Sequence, residues 1–281
     1  MVIDVNVHPL LYKSIYQEDE FSFWEREFGM GHMGPMGYDE VFAEMDVGGI
    51  DKNVLLPLDL TTTAGGWIAT NEQVAHIVAD YPDRFIGFAS VDPHRKDALV
   101  YLERVCRELN PRGLSLHPAK QRFKPDDVCM EPIYEICRAY DLPIIFDAGM
   151  SWEPQAPIGQ GNPLCFEQAL LQHPDVRMCL SHMGWPWVRE MVTLMLKYPN
   201  CYSECSVLYL DSPEESIQRL FTVDMGPLWF QRSLSHQIMF GSNTPRFRAF
   251  KIRRGIERLN LPKRAHDALL GGNALEFLGG R

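Results

Sequence analysis

The chain has 281 residues, 46% of them hydrophobic, with a formal net charge of −10. Core material is ample, so neither a disulfide nor a structural metal is needed for folding, and the length suits one large α/β barrel or two smaller domains. The acidic balance, with no basic stripe to neutralise phosphates, excludes a nucleic-acid binder, and no run reaches the roughly 18 apolar residues of a membrane helix.

Residues 2–8 alternate, which places Asp4, Asn6 and His8 on one face of a strand and Ile3, Val5 and Val7 on the other. A strand that begins at once and carries a carboxylate is no signal peptide, so a cytoplasmic protein is expected. Residues 10–38 are rich in Gly, Met and aromatics and too long for a plain connection. They read as a lid insertion over the strand ends, with glycines between Gly29 and Gly37 as hinges, or as an apolar surface for a partner subunit. A helix is predicted over 39–47 and a strand over 53–56. Thr70-Asn71-Glu72-Gln73 is a capping box that opens a helix to Asp80. A third strand covers 85–91. The helix over 96–109 carries apolar residues at 98, 99, 102, 105, 106 and 109, one face of a 3.6-residue period.

The fourth strand is 113–117 and its helix 131–140. Pro143-Ile144-Ile145-Phe146-Asp147 is the fifth, a short apolar run that stops on a carboxylate. A helix at 164–172 follows, then a sixth strand ending on His182 and a helix to about Lys197. The seventh strand is 200–206, with Glu204 and Ser206 on one face. Helices over 212–234 precede the eighth strand, which ends on Asn243, and helices at 250–259 and 263–278 finish the chain. Seven cysteines without a CxxC pair read as free thiols of a reducing compartment. Eight strand–helix alternations with short links predict an α/β fold of one domain over residues 1–281, a closed (β/α)8 TIM barrel. A doubly wound open sheet is the alternative, weakened by the lack of a GxGxxG fingerprint.

In such a barrel the polar residues at the C-terminal strand ends meet at one mouth. Here they are Asn6, His8, Asp92, His117, Asp147, His182, Glu204 and Asn243. Three histidines that each end a different strand suit acid–base work near neutral pH. Arg246, after the eighth strand, and Lys120 or Arg122, after the fourth, are the cations available to a substrate carboxylate.

Several stretches together resemble the amidohydrolase-related (amidohydrolase 2) family, in its aminocarboxymuconate-semialdehyde decarboxylase-like branch. They are Ile3-Asp4-Val5-Asn6-Val7-His8, Leu116-His117-Pro118, Pro143-Ile144-Ile145-Phe146-Asp147-Ala148-Gly149, Ser181-His182-Met183-Gly184-Trp185-Pro186, Phe240-Gly241-Ser242-Asn243 and Leu269-Leu270-Gly271-Gly272-Asn273. The resemblance covers essentially the whole chain. It implies a hydrolase or decarboxylase acting on a small carboxylated cyclic or aromatic compound, working as a homodimer, with no nucleic-acid or membrane partner.

It also implies metal-ligand positions, and here they are substituted. Asn6 stands where the family's first strand has a histidine, Asp147 where the fifth has one, and Asn243 where the eighth has an aspartate. A neutral amide is a weak ligand for Zn²⁺ beside imidazole, and Asn243 cannot take a proton from metal-bound water. No cofactor is therefore assigned. A Zn²⁺ or Mn²⁺ ion in an atypical site would be held by His8, Asp147 and His182. The expected catalytic residues are His182 as acid/base, with Asp147 and His8. The expected substrate contacts are His117, Asn6, Asn243, Arg246, Glu204 and Trp185. A barrel that binds without catalysis is the alternative function.

Overall fold

Short apolar runs pair side by side and in parallel until the ring closes. In the computed structural model, which describes residues 1–28, 34–151, 153–208, 212–226 and 228–280, the strands are β1 (Ile3–Val7), β2 (Lys52–Leu55), β3 (Leu58–Leu60), β4 (Gly66–Ile68), β5 (Phe85–Gly87), β6 (Leu114–Leu116), β7 (Ile144–Phe146), β8 (Met178–Leu180), β9 (Cys201–Glu204) and β10 (Ile238–Met239). All except β3 and β4 form the barrel, in the hydrogen-bonded orders β1-β2-β5 and β10-β9-β8-β7-β6. Parallel bridges Val7–Thr244 and Ala89–Leu114 join these two arcs into the expected (β/α)8 ring.

Strand alternation sorts the side chains into two cores. Ile3, Val5, Val54, Phe88, Ile145, Cys179, Tyr202 and Met239 point inward and form the barrel floor. Leu114, Leu116, Ile144, Phe146, Met178 and Leu180 point outward against the helices. The helix Asn273–Phe277 plugs the bottom, with the Phe277 ring 5.2 Å from Tyr202. Asn273 Nδ2 donates to Ser235 O and Ile238 O and pins that helix to β10.

Most helices form where their periodicity places them. Thr70 and Gln73 make the reciprocal cap, at 3.1 and 2.7 Å. Helix Ala98–Leu109 buries Ala98, Leu102, Val105 and Cys106. The single helix expected over 263–278 is instead Lys263–Asp267 and Asn273–Phe277 with a π-helical turn, Ala268–Gly272, between them. No helix among the described residues is long and apolar enough to cross a membrane.

Two expectations change, and the 10–38 segment gains detail. Asp4 does not share a face with Asn6 and His8. A register shift in β1 between Asp4 and Val7 turns Asp4 outward toward Tyr12 and Met45, where it accepts from the backbone N–H of Ser242 at 2.9 Å. Asp92 does not reach the mouth, because β5 ends early. Its carboxylate accepts from Thr62 N and Oγ1 at 2.8 and 2.6 Å and holds the loop of the β3–β4 hairpin. The 10–38 segment is partly helical, Glu18–Phe28, with Trp24 buried and its Nε1 donating to Trp67 O on β4. Gly29 and Gly31, two of the expected hinges, lie outside the described residues.

Candidate active site

A cavity of about 920 Å³ occupies the open end of the barrel. The alternation that builds the floor also builds the mouth, two residues further on. Ile145 leads to Asp147, Ser115 to His117, Tyr202 to Glu204, and Met239 through Gly241 to Asn243. On β1 the register shift lets Val5 face the floor while Asn6 and His8 still face the cavity. His182 arrives by a different device. At φ 60° and 49°, it and Met183 are left-handed, which directs the imidazole over the mouth after β8. Such backbone costs a non-glycine residue about 1–3 kcal/mol and needs support from its surroundings.

That support comes from β9. Glu204 Oε1 accepts from the His182 backbone N–H at 2.8 Å, from Asn6 Nδ2 at 2.9 Å and from Ser206 Oγ at 2.8 Å. Ser206 Oγ lies 2.6 Å from His182 Nδ1. Since the Ser206 hydroxyl donates to Glu204, it accepts from His182, so Nδ1 carries a proton. Gly241 is part of this arrangement, because a Cβ there would stand 2.2 Å from Glu204 Oε2.

The opposite wall is Asp147. Its Oδ2 faces His182 Nε2 and its Oδ1 faces His117 Nε2, each at 3.4 Å. His117 Nδ1 accepts from the Lys120 backbone N–H, so its proton is on Nε2 and it donates toward Asp147. The charges follow from these contacts. Burial disfavours the His182 cation, but Asp147 and Glu204 outweigh it and raise its pKa above the usual histidine value. Burial would raise the Asp147 carboxyl too, yet His117, His182 and His8 hold it well below the usual range. Burial pulls His8 down to about 4 and lowers His117 as well. The site thus pairs an imidazole whose charged form its partners favour with a carboxylate, flanked by two imidazoles whose charged forms burial disfavours.

His182, Asp147, His8, His117, Asn6, Asn243 and Arg246 therefore all line one cavity, as expected. Two expected substrate contacts do not. Glu204 is fully buried behind Asn6 and His182, and its oxygens are taken by the wall itself. Trp185 lines a separate surface hollow with Arg189 and Arg219, because the left-handed turn at 182–184 carries the chain away from the mouth. Lys120 is tied to Glu27 and Glu153, joining the helix Glu18–Phe28 to the loop after β7, and Arg122 donates to Gln155. Ser206, which strand alternation places on one face with Glu204, is not among the expected site residues, yet it joins them here. Among the described residues no three His, Cys, Asp or Glu side chains are grouped to hold a metal ion.

The family model described as "Amidohydrolase" matches residues 3–280. A curated relative, 2-amino-3-carboxymuconate-6-semialdehyde decarboxylase of Dictyostelium discoideum, is 24% identical over 74% of this chain and 65% of its own length; the match thus spans less than two thirds of that relative. Among solved structures, an uncharacterized TIM-barrel protein from Bordetella bronchiseptica superposes with a TM-score of 0.76 at 24% identity, covering 100% of this chain and 99% of that one. A dihydroxybenzoic acid decarboxylase from Polaromonas, solved with bound manganese and the inhibitor 2-nitroresorcinol, gives 0.65 at 18%, covering 100% and 97%. These structural likenesses establish the barrel.

Proposed function

Because this chain belongs to the amidohydrolase family, we propose that it is an enzyme that removes CO₂ from a small carboxylated aromatic or cyclic compound, with His182 as the acid. The observation that carries the reading is the placement of His182 at the edge of the cavity, with Nδ1 on Ser206 and Nε2 facing Asp147, contacts that favour its charged form. A proton held this way is available to a bound substrate, and positioned acids of this kind contribute about 10²–10⁴-fold to rate.

In the proposed step Nε2 gives its proton to the carbon that bears the carboxylate. The bond to the carboxylate then breaks, its electron pair returns to the conjugated system, and CO₂ leaves. Water in the cavity reprotonates His182. Arg246 faces the substrate carboxylate, and His117 and Asp147 hold the imidazole in line. The helix Glu18–Phe28 contributes Arg26 and Glu27 to the cavity wall and serves as its cover. The decarboxylase activities named for the Dictyostelium relative and the Polaromonas enzyme support this choice. Hydrolysis ranks second, since a carboxylate held as acidic as Asp147 is a poor base toward water. The protein is proposed to act in the cytoplasm, as a homodimer.

A Zn²⁺ or Mn²⁺ ion held by His8, Asp147 and His182 does not fit this donor set. Both ring nitrogens of His182 face oxygen acceptors and carry protons, so neither offers a lone pair. The first strand supplies a neutral amide, a weaker ligand than the imidazole it replaces. The proposed chemistry is carried by the side chains alone.

The test is a panel of small aromatic and cyclic carboxylic acids incubated with the protein in D₂O. Release of CO₂ with one deuterium on the product carbon is expected, and loss of both in His182→Gln. Hydrolysis products without CO₂, or a fully active His182→Gln, overturn the reading. Binding of an acid with no turnover under any condition favours the non-catalytic barrel.

A further inference from the structure

The amide of Asn6 is fixed in one orientation by chemistry. Glu204 is fully buried and its Oε1 can only accept, so Asn6 must turn Nδ2 toward it, at 2.9 Å. The same Nδ2 reaches Ser206 Oγ at 3.3 Å, and that hydroxyl spends its own proton on Glu204. Asn6 Oδ1 then has no choice but to face the other way. Asn6 lines the catalytic cavity, is 2% exposed, and its Oδ1 has no hydrogen-bond partner among the described residues. A buried acceptor left unmade is unfavourable, and a ligand that brings a donor to it is preferred over one that does not.

We propose that Asn6 is a specificity-determining residue that selects substrates bearing a hydroxyl or amino donor near the reacting carbon, and that Glu204 sets this preference by holding the amide. The inference rests on the proposed small-acid substrate but not on the proton step. If Glu204 becomes an amide, Asn6 is free to flip, and the cavity meets Nδ2, a donor, in place of Oδ1.

Dissociation constants measured by calorimetry for 2-, 3- and 4-hydroxybenzoate, each against its methoxy counterpart, test this. The wild-type protein is expected to favour at least one hydroxy acid by about tenfold or more. The ratio should fall to near one in Asn6→Leu and fall or invert in Glu204→Gln, which keeps the shape of the wall if Asn6→Leu fails to fold. Equal binding of every pair by the wild-type protein, no binding of any of the acids, or an unchanged ratio in Glu204→Gln overturns the proposal. A retained ratio alongside failure to release CO₂ from any acid would sink the decarboxylase reading and leave this inference standing.

Discussion

The floor and the mouth of the barrel come from the same strands, two residues apart, and they obey different physics. Ile145 and Tyr202 sit in an apolar cluster sealed by Phe277. Asp147 and Glu204, the next inward positions, carry charge in an enclosed setting and depend on partners placed to within a hydrogen bond. On the floor, volume decides and direction matters little. At the mouth, direction decides, because the charged side chains are held by specific hydrogen bonds. Stability and chemistry are therefore separable along a single strand, and substitutions can be chosen to break one and spare the other.

The largest effect is expected from His182→Gln. Glutamine keeps a hydrogen-bonding group but carries no charge, so turnover should fall by roughly 10³-fold. Its unfolding free energy should drop less than that of the floor variant below. Equal activity, or a collapse of the fold, erases the division between the two regions.

Phe277→Ala attacks the floor. It removes the ring that packs on Tyr202 and should lower the unfolding free energy by about 3–5 kcal/mol. Folded Phe277→Ala should keep a kcat near wild type, read from single-turnover rates at low temperature. A proportionate loss of kcat would mean that the floor positions the mouth, contrary to the comparison.

A smaller change comes from Ser206→Ala, which removes the hydroxyl between His182 Nδ1 and Glu204. A lost hydrogen bond to a charged group is worth about 1.5–3 kcal/mol, so turnover should fall roughly 10- to 100-fold. The pH profile tells this apart from simple damage. The pKa of His182 is raised, so the imidazolium is present at low pH and lost as pH rises through its folded value. Its contribution to stability has the same sign, complete below the ordinary histidine pKa and lost above the folded one. Wild-type kcat/KM should therefore show a basic limb above the usual histidine range, and Ser206→Ala should move that limb to lower pH. An unmoved limb would mean that Ser206 does not set the charge of His182.

Much of this is legible in the sequence. The barrel is written in repeated apolar runs that end on a polar residue, and Asp147, His117 and Asn243 follow from two-residue alternation. Alternation failed where the backbone departs from it. The register shift in β1 depends on pairing with β2 and moved Asp4 to the outer face. The β3–β4 hairpin, three residues per strand, is held by contacts made elsewhere, such as Trp24 Nε1 on Trp67 O. Strand pattern gives the face of a residue but not its depth, so Glu204 reads as a substrate contact when it is the support behind Asn6 and His182. The left-handed turn at His182 puts the imidazole at the mouth and, three residues on, takes Trp185 away from it.

The smallest expected effect is also a sharp test of the mouth. Incubation with a strong chelator, followed by dialysis, should change the decarboxylation rate by less than about twofold, and added Zn²⁺ or Mn²⁺ should not raise it. The reason lies in the protons of His182. A metal ligand must present a lone pair, and here Nδ1 donates to Ser206 while Nε2 faces a carboxylate. Recruiting His182 to a cation would require it to give up the charge that makes it an acid, and would leave Ser206 and Glu204 facing a bare nitrogen. The two roles compete for the same atoms. A rate that falls on chelation and returns with Mn²⁺ would show that the imidazole serves as a ligand, and the acid would then have to be found elsewhere on the wall.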